Sequence, residues 1–149
     1  MNKVSTNDVD IRLLNKDDVA VLDNVALDVF DNPVEPHWCA EFLGDPRHHI
    51  VVACEGERVV GMATGVHYLH PDKAPELWIN EVGVAPSHQG QGIGKAIMAA
   101  LLEHAKTLGC KEAWVLTEED NQAARRLYTR AGGHEEADRP VYVTFLLED

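Results

Sequence analysis

A run of alternating glycines, set between an apolar strand and a helical repeat, constrains this chain more than any other feature. In VGVAPSHQGQGIGKAIMAALLEHAK, residues 82–106, the glycines Gly90, Gly92 and Gly94 stand at the start of a repeat formed by Ile93, Ile97, Leu101, Ala105 and Leu108. That repeat has the 3.6-residue period of one helix face, and Gly109 follows where a helix C-terminus favours glycine. Glycines at such a junction let successive backbone N–H groups converge on an anion at the positive end of the helix. A tight strand-to-helix turn uses the same letters. Two phosphate-binding patterns are excluded residue by residue. GxxxxGK[ST], closing on Gly94-Lys95, requires glycine at Gln89 and a hydroxyl at Ala96. The dinucleotide pattern GxGxxG, begun at Gly90, requires glycine at Lys95.

The 149 residues predict one domain spanning 1–149, with enough chain to bury an ordinary core. A composition of 45% hydrophobic and 26% charged residues is that of a soluble globular protein. No stretch reaches the ~20 apolar residues of a membrane span, and MNKVSTNDVDIRLL lacks the apolar core of a signal peptide. Cys39, Cys54 and Cys110 are an odd set without CxxC spacing, so neither a disulfide framework nor a zinc site is expected, and a reducing cytoplasm is. His67 and His70 form HxxH without a third ligand at metal spacing, and no metal is expected. His48-His49 opens a strand and is expected to face solvent. A formal net charge of −12 argues against nucleic acid as a partner. Residues 17–46 hold eight carboxylates and no Lys or Arg, which suits either a solvated face or a cationic partner.

Patterning along the chain predicts the order β-α-α-β-β-β-α-β-α-β. DIRLL opens as a strand. Asn15 and Asp18 then resemble a capping box before Val19, Leu22, Ala26 and Val29 at helical spacing. DNPVEP breaks that helix, and HWCAEFL forms a second. HHIVVAC and RVVGMATGVHYL flank the turn EGE as a hairpin. LWINEVGV is a strand, CKEAWVLT another, NQAARRLYTRAG a helix, and RPVYVTFLL a closing strand. Gly83 inside an apolar strand marks a bulge or a close backbone approach. The fold class is α+β, a mostly antiparallel sheet flanked by helices.

Gln89-Gly90-Gln91-Gly92-Ile93-Gly94 matches Q/R-x-x-G-x-G/A, and EDNQAARRLYTRAGG matches Asn-x-x-Ala…Leu-Tyr-x-x-x-Gly in the expected order. Together these resemble the two signatures of the GNAT superfamily of N-acetyltransferases, and the element order is similar along nearly the whole chain. Within that superfamily the chain most resembles the type I aminoglycoside 3-N-acetyltransferases, through ALDVF, the strand end Trp78-Ile79-Asn80-Glu81, and LYTRAG. The resemblance implies acetyl-CoA as co-substrate, with its pyrophosphate held by Gln89, Gly90, Gln91, Gly92, Ile93, Gly94 and Lys95. It implies pantetheine pairing with Val82, Gly83 and Val84, a hydrogen bond from Asn121, and an N–H near Val82 for the thioester carbonyl. A homodimer joined through VYVTFLL is expected on the same ground. One departure is Gly133, which stands where the superfamily usually carries an aromatic residue.

Acetyl transfer needs a neutral amine and a proton for the departing thiol. Glu81 is the candidate base, acting directly, through one water, or only by attracting a cation. Tyr128 is the candidate acid, since a phenol stays protonated at neutral pH; its stripe with Ala124, Leu127 and Ala131 equally suits a packing role. Asn121 otherwise serves as a helix N-cap. Asp31, Glu35 and Glu81 are the candidate contacts to a small cationic amine, with an aminoglycoside 3-amino group first in mind. Another polyamine, metabolite or protein amine is the alternative, and a non-catalytic acyl-CoA-binding module is the remaining one. His88 borders the glycine loop and is a further candidate for touching the coenzyme.

Overall fold

Alternation in VDIRL, HHIVVACE, RVVGMATGVHY and ELWINEVGV sends successive side chains to opposite faces, and these segments pair as consecutive antiparallel strands. In the computed structural model, which describes residues 8–148, they are β1 (Val9–Leu13), β2 (His48–Glu55), β3 (Arg58–Tyr68) and β4 (Glu76–Val84). A fifth strand, β5 (Glu112–Val115), pairs parallel with β4, and the sheet order is β1-β2-β3-β4-β5. The expected class, α+β with a mostly antiparallel sheet, is what the chain forms. Three α-helices accompany it: α1 (Pro36–Gly44), α2 (Ile93–Thr107) and α3 (Gln122–Arg130).

One sheet face is covered by α2, which packs on β1 to β4 and buries Ile93, Ile97, Met98, Leu101 and Ala105. Ile97 and Leu101 are fully shielded, each contributing about 1.5–3 kcal/mol of transfer free energy. Gly61 permits this contact, because a Cβ there would press on Ile97 Cδ1 at 2.9 Å. The opposite face is covered by residues 19–44, through Leu22, Ala26, Val29, Cys39 and Leu43. Central β2 is buried on both faces for that reason.

Three expectations are corrected. The helix over residues 15–29 is absent. Asn15 N–H does donate to Asp18 Oδ2 at 2.9 Å, but only a single 3-10 turn, Val19–Asp23, follows. Beyond it Val59 N–H donates to the Asn24 carbonyl at 2.9 Å, and Ala26 N–H to the Val59 carbonyl at 2.8 Å. These bonds to the start of β3 replace a helical ladder, yet Leu22, Ala26 and Val29 still reach the core. The closing strand is also absent: residues 133–148 form no helix or strand, and Val141, Tyr142, Val143, Phe145, Leu146 and Leu147 are 64–93% exposed. A two-residue period makes a strand only where a neighbouring backbone is offered, and no described segment pairs there. Finally, His49 is buried, at 8% exposure, while His48 is exposed. Its side chain lies on the face covered by α2.

Candidate active site

Strand β4 outruns its parallel neighbour. Glu76–Ile79 pair with Glu112–Val115, and residues 80–84 continue with no described strand paired on that side. Two bonds fix which way the backbone there points. Ala85 N–H donates to the Val60 carbonyl at 2.8 Å, and Glu81 N–H to Thr64 Oγ1 at 3.1 Å. Both face β3, so by alternation the N–H groups of Val82 and Val84 face the open edge, and that of Gly83 faces β3. On the open side the Val84 carbonyl accepts from Gln89 Nε2 at 3.0 Å. An amide-bearing chain can add to such an edge as a strand does.

The open edge leads into the glycine loop. Gly90 has φ 79° and Gly92, the cap of α2, φ 83°, in the left-handed region that glycine enters without strain. No atom lies near a Cβ built at either, so glycine there serves backbone conformation alone. The first turn of α2 closes with Ala96 N–H donating to the Gly92 carbonyl at 3.1 Å, which leaves the N–H groups of Ile93, Gly94 and Lys95 for an anion at the helix start. Lys95 is exposed there. Gly94 differs from its neighbours: a Cβ would press on Leu127 Cδ1 at 3.2 Å, so it admits α3 against α2. Gln91 Nε2 reaches toward the Ser87 carbonyl at 3.5 Å. His88 lies between Ser87 Oγ at 2.8 Å and Glu55 Oε1 at 3.1 Å, tying the loop to the β2–β3 hairpin.

Across β4 from α2, a cavity of about 280 Å³ opens between the 30–42 segment and the sheet. Glu81 and Thr64 form its sheet wall, and Phe30, Asp31, Glu35 and Trp38 are among the residues opposite. Asp31 and Glu35 are therefore brought to the candidate base. Burial raises the Glu81 carboxyl above the usual carboxylate range, and the Asp31 charge adds to it. Gly83 is the residue that permits this assembly. A Cβ on it would overlap the Val29 carbonyl oxygen, so the chain at Val29 crosses directly over β4. The bulge, meanwhile, lies at Asn80: Thr64 pairs with Glu81 and Gly65 with Ile79, leaving Asn80 extra.

On α3, burial pushes the Tyr128 phenol up. That keeps it protonated, and it bonds no other described residue. Asn121 caps the helix, its Oδ1 accepting from Ala124 N–H at 3.1 Å, so only its amide NH₂ remains for a ligand. Gly133 N–H donates to the Tyr128 carbonyl at 2.9 Å, and a Cβ there would sit 3.1 Å from that oxygen. The missing aromatic is thus replaced by a close helix exit. Two features escaped the sequence reading. Thr64 meets Glu81 only through strand register. His49 bridges His67 Nδ1 at 2.7 Å and His104 Nε2 at 3.0 Å, a chain of three rings on β2, β3 and α2.

Residues 19–133 match the Acetyltransferase (GNAT) family. The chain is 34% identical over 116 residues to a mycothiol acetyltransferase of Geodermatophilus obscurus, covering 68% of this chain and 36% of that protein. It is 36% identical over 104 residues to the N-alpha-acetyltransferase RimI of Mycobacterium tuberculosis, covering 70% and 63% respectively. The chain thus spans about a third of that mycothiol acetyltransferase and under two thirds of RimI. In fold it is similar to an aminoglycoside acetyltransferase from an uncultured soil metagenomic sample, solved with sisomicin (TM-score 0.80, 20% identity, 97% of this chain and 100% of that one). It is also similar to AAC(6')-Iy, solved with a bisubstrate analogue (TM-score 0.75, 20% identity, 93% and 98%). The narrower resemblance to 3-N-acetyltransferases is not carried by these likenesses.

Proposed function

The chain belongs to the GNAT acetyltransferase family, and from that premise we propose that it transfers an acetyl group from acetyl-CoA to a primary amine held in the Glu81 cavity. One observation carries this: the open edge of β4 and the carboxylate-bearing cavity share the same few residues, 80–84. Val82 and Val84 would hold the pantetheine arm. The N–H groups at the start of α2, with Gly90, Gly92 and Lys95, would hold the pyrophosphate. When bound, acetyl-CoA supplies an activated acyl group at its thioester carbon. Placing the amine beside it gives much of the rate by proximity. The Val82 N–H faces the side on which the thioester oxygen would gain charge. Glu81, with its raised carboxyl pKa, takes the proton from the amine nitrogen as the C–N bond forms. Tyr128 gives its phenolic proton to the sulfur as the C–S bond breaks, and solvent restores both groups.

An aminoglycoside amine remains the first acceptor reading, supported by the acidic lining of Asp31, Glu35 and Glu81. No observation favours the 3-amino group over another. A peptide amine is the second reading, favoured by the apolar contribution of Phe30, Pro33, Val34, Trp38 and Phe42 to the same cavity. A panel of sisomicin, spermidine, a cysteinyl amino sugar and an alanyl peptide, assayed for thiol release and product mass, distinguishes them. Replacing Glu81 by Gln or Tyr128 by Phe is expected to lower kcat about 100-fold or more. Acetyl-CoA binding without turnover of any amine would leave a binding module, and variants as active as a competent parent would refute the roles of Glu81 and Tyr128. We also propose that the enzyme is a homodimer, with the exposed apolar segment 141–147 lying across a second copy.

A further inference from the structure

Asn80 is the extra residue of the β4 bulge, and an extra residue interrupts the strand ladder beside it. Next to it stands Glu81, which pairs with Thr64 of β3 and lines the acceptor cavity. Its N–H donates to Thr64 Oγ1 at 3.1 Å. Thr64 is 6% exposed and lines the same cavity wall as Glu81. This hydroxyl therefore ties the backbone beside the bulge to β3 through a side chain. Threonine suits the task because its branched Cβ restricts rotation about χ1, fixing Oγ1 relative to β3. The hydroxyl proton meets no acceptor among the described residues, and the cavity is the space beside it.

Resting on the reading of Glu81 as base, we infer that Thr64 is a positioning residue for acetyl transfer: its hydroxyl holds the Glu81 backbone at the bulge and so aims the carboxylate at the incoming amine. Glycine at the next position, Gly65, cannot share the task, and no other side chain among the described residues donates to or accepts from Glu81. The role differs from packing. Valine has the shape of threonine but lacks the acceptor, while serine keeps the acceptor and loses only a methyl group.

The test compares Thr64→Val, Thr64→Ser and Glu81→Gln. Amide exchange at Glu81, followed by NMR, requires no acceptor. It is expected to be slow in the parent and Thr64→Ser, and at least tenfold faster in Thr64→Val. With acetyl-CoA and sisomicin or the alanyl peptide, Thr64→Val is expected to lower kcat about 10- to 100-fold and displace the acidic limb of the pH–rate profile. KM for acetyl-CoA should hold, and Thr64→Ser should restore both kcat and profile. A fast-exchanging Glu81 amide in the parent overturns the inference. So does a Thr64→Val enzyme with parental kcat and pH profile while Glu81→Gln is impaired; the reading of Glu81 then stands. If Glu81→Gln itself retains full kcat, the reading of Glu81 as base falls instead. Should Thr64→Val fail to fold, Thr64→Ser decides: an impaired serine variant with a fast-exchanging Glu81 amide contradicts the hydroxyl's role.

Discussion

Lowering the pH from 7 to 4 should destabilise this protein through His49 by a calculable amount. Its ring is 8% exposed on β2, bonded on one side to His67 of β3 and on the other to His104 of α2. Burial, reinforced by the His104, His67 and His48 charges and opposed by Asp45, lowers its pKa from 6.5 to about 4. Between those two values the unfolded chain binds a proton that the native ring refuses. Stability contributed by the neutral ring is therefore complete above pH 6.5, declines on acidification, and levels off below about pH 4. At about 1.4 kcal/mol per tenfold, the gap corresponds to roughly 3 kcal/mol, a large fraction of the 5–15 kcal/mol that holds a typical domain together. Urea unfolding followed by tryptophan fluorescence at pH 7.5, 6.5, 5.5 and 4.5 measures it. The same series on His49→Leu removes the background from the many carboxylates. His67 and His104, whose own values burial also lowers, titrate in both proteins, so the difference reports His49 with its two ring bonds. The parent should lose about 2.5 kcal/mol more than His49→Leu across this range, since pH 4.5 stops short of the native pKa. Parallel curves would show that the buried ring takes up its proton at no cost, and the reasoning would fail.

Gly83→Ala should push the Val29 carbonyl away from β4 and destabilise the protein by about 1–3 kcal/mol. At about 2–4 °C per kcal/mol for a chain of this size, calorimetry should record a Tm several degrees lower. Gly92→Ala forces alanine to φ 83°, a strain of about 1–2 kcal/mol at the start of α2. If binding needs that conformation, KM for acetyl-CoA should rise roughly 5- to 30-fold, as titration calorimetry would also show. If the proposed dimer forms through segment 141–147, removing the chain from Pro140 onward should halve the mass seen by light scattering; an unchanged mass would refute that contact.

The glycine loop, α2 and the β2–β3 hairpin were legible because their causes are local. Gly90 and Gly92 are needed for their own φ angles, and Ile93, Ile97 and Leu101 fall on one face at a fixed spacing whatever surrounds them. The helix proposed for residues 15–29 misled for the opposite reason. Leu22, Ala26 and Val29 do reach the core, but Asn24 and Ala26 bond to Val59, which is distant in sequence. The same holds for RPVYVTFLL, whose alternation finds no partner strand among the described residues. In the site, Glu81, Asp31 and Glu35 could be named in advance as carboxylates. Their meeting around one cavity depends on Val29 crossing over Gly83.

By itself, the order of residues determined where the chain turns, which helix starts with free amides, and which faces are apolar, since dihedral preference and side-chain period act over a few residues. Tertiary structure alone decided that Thr64 accepts from Glu81, that His49 is shielded between two other histidines, and that Val82 presents its amide to an open edge. Those outcomes turn on strand register and on where β5 stops, and a shift of one residue in pairing would turn each group to the other side.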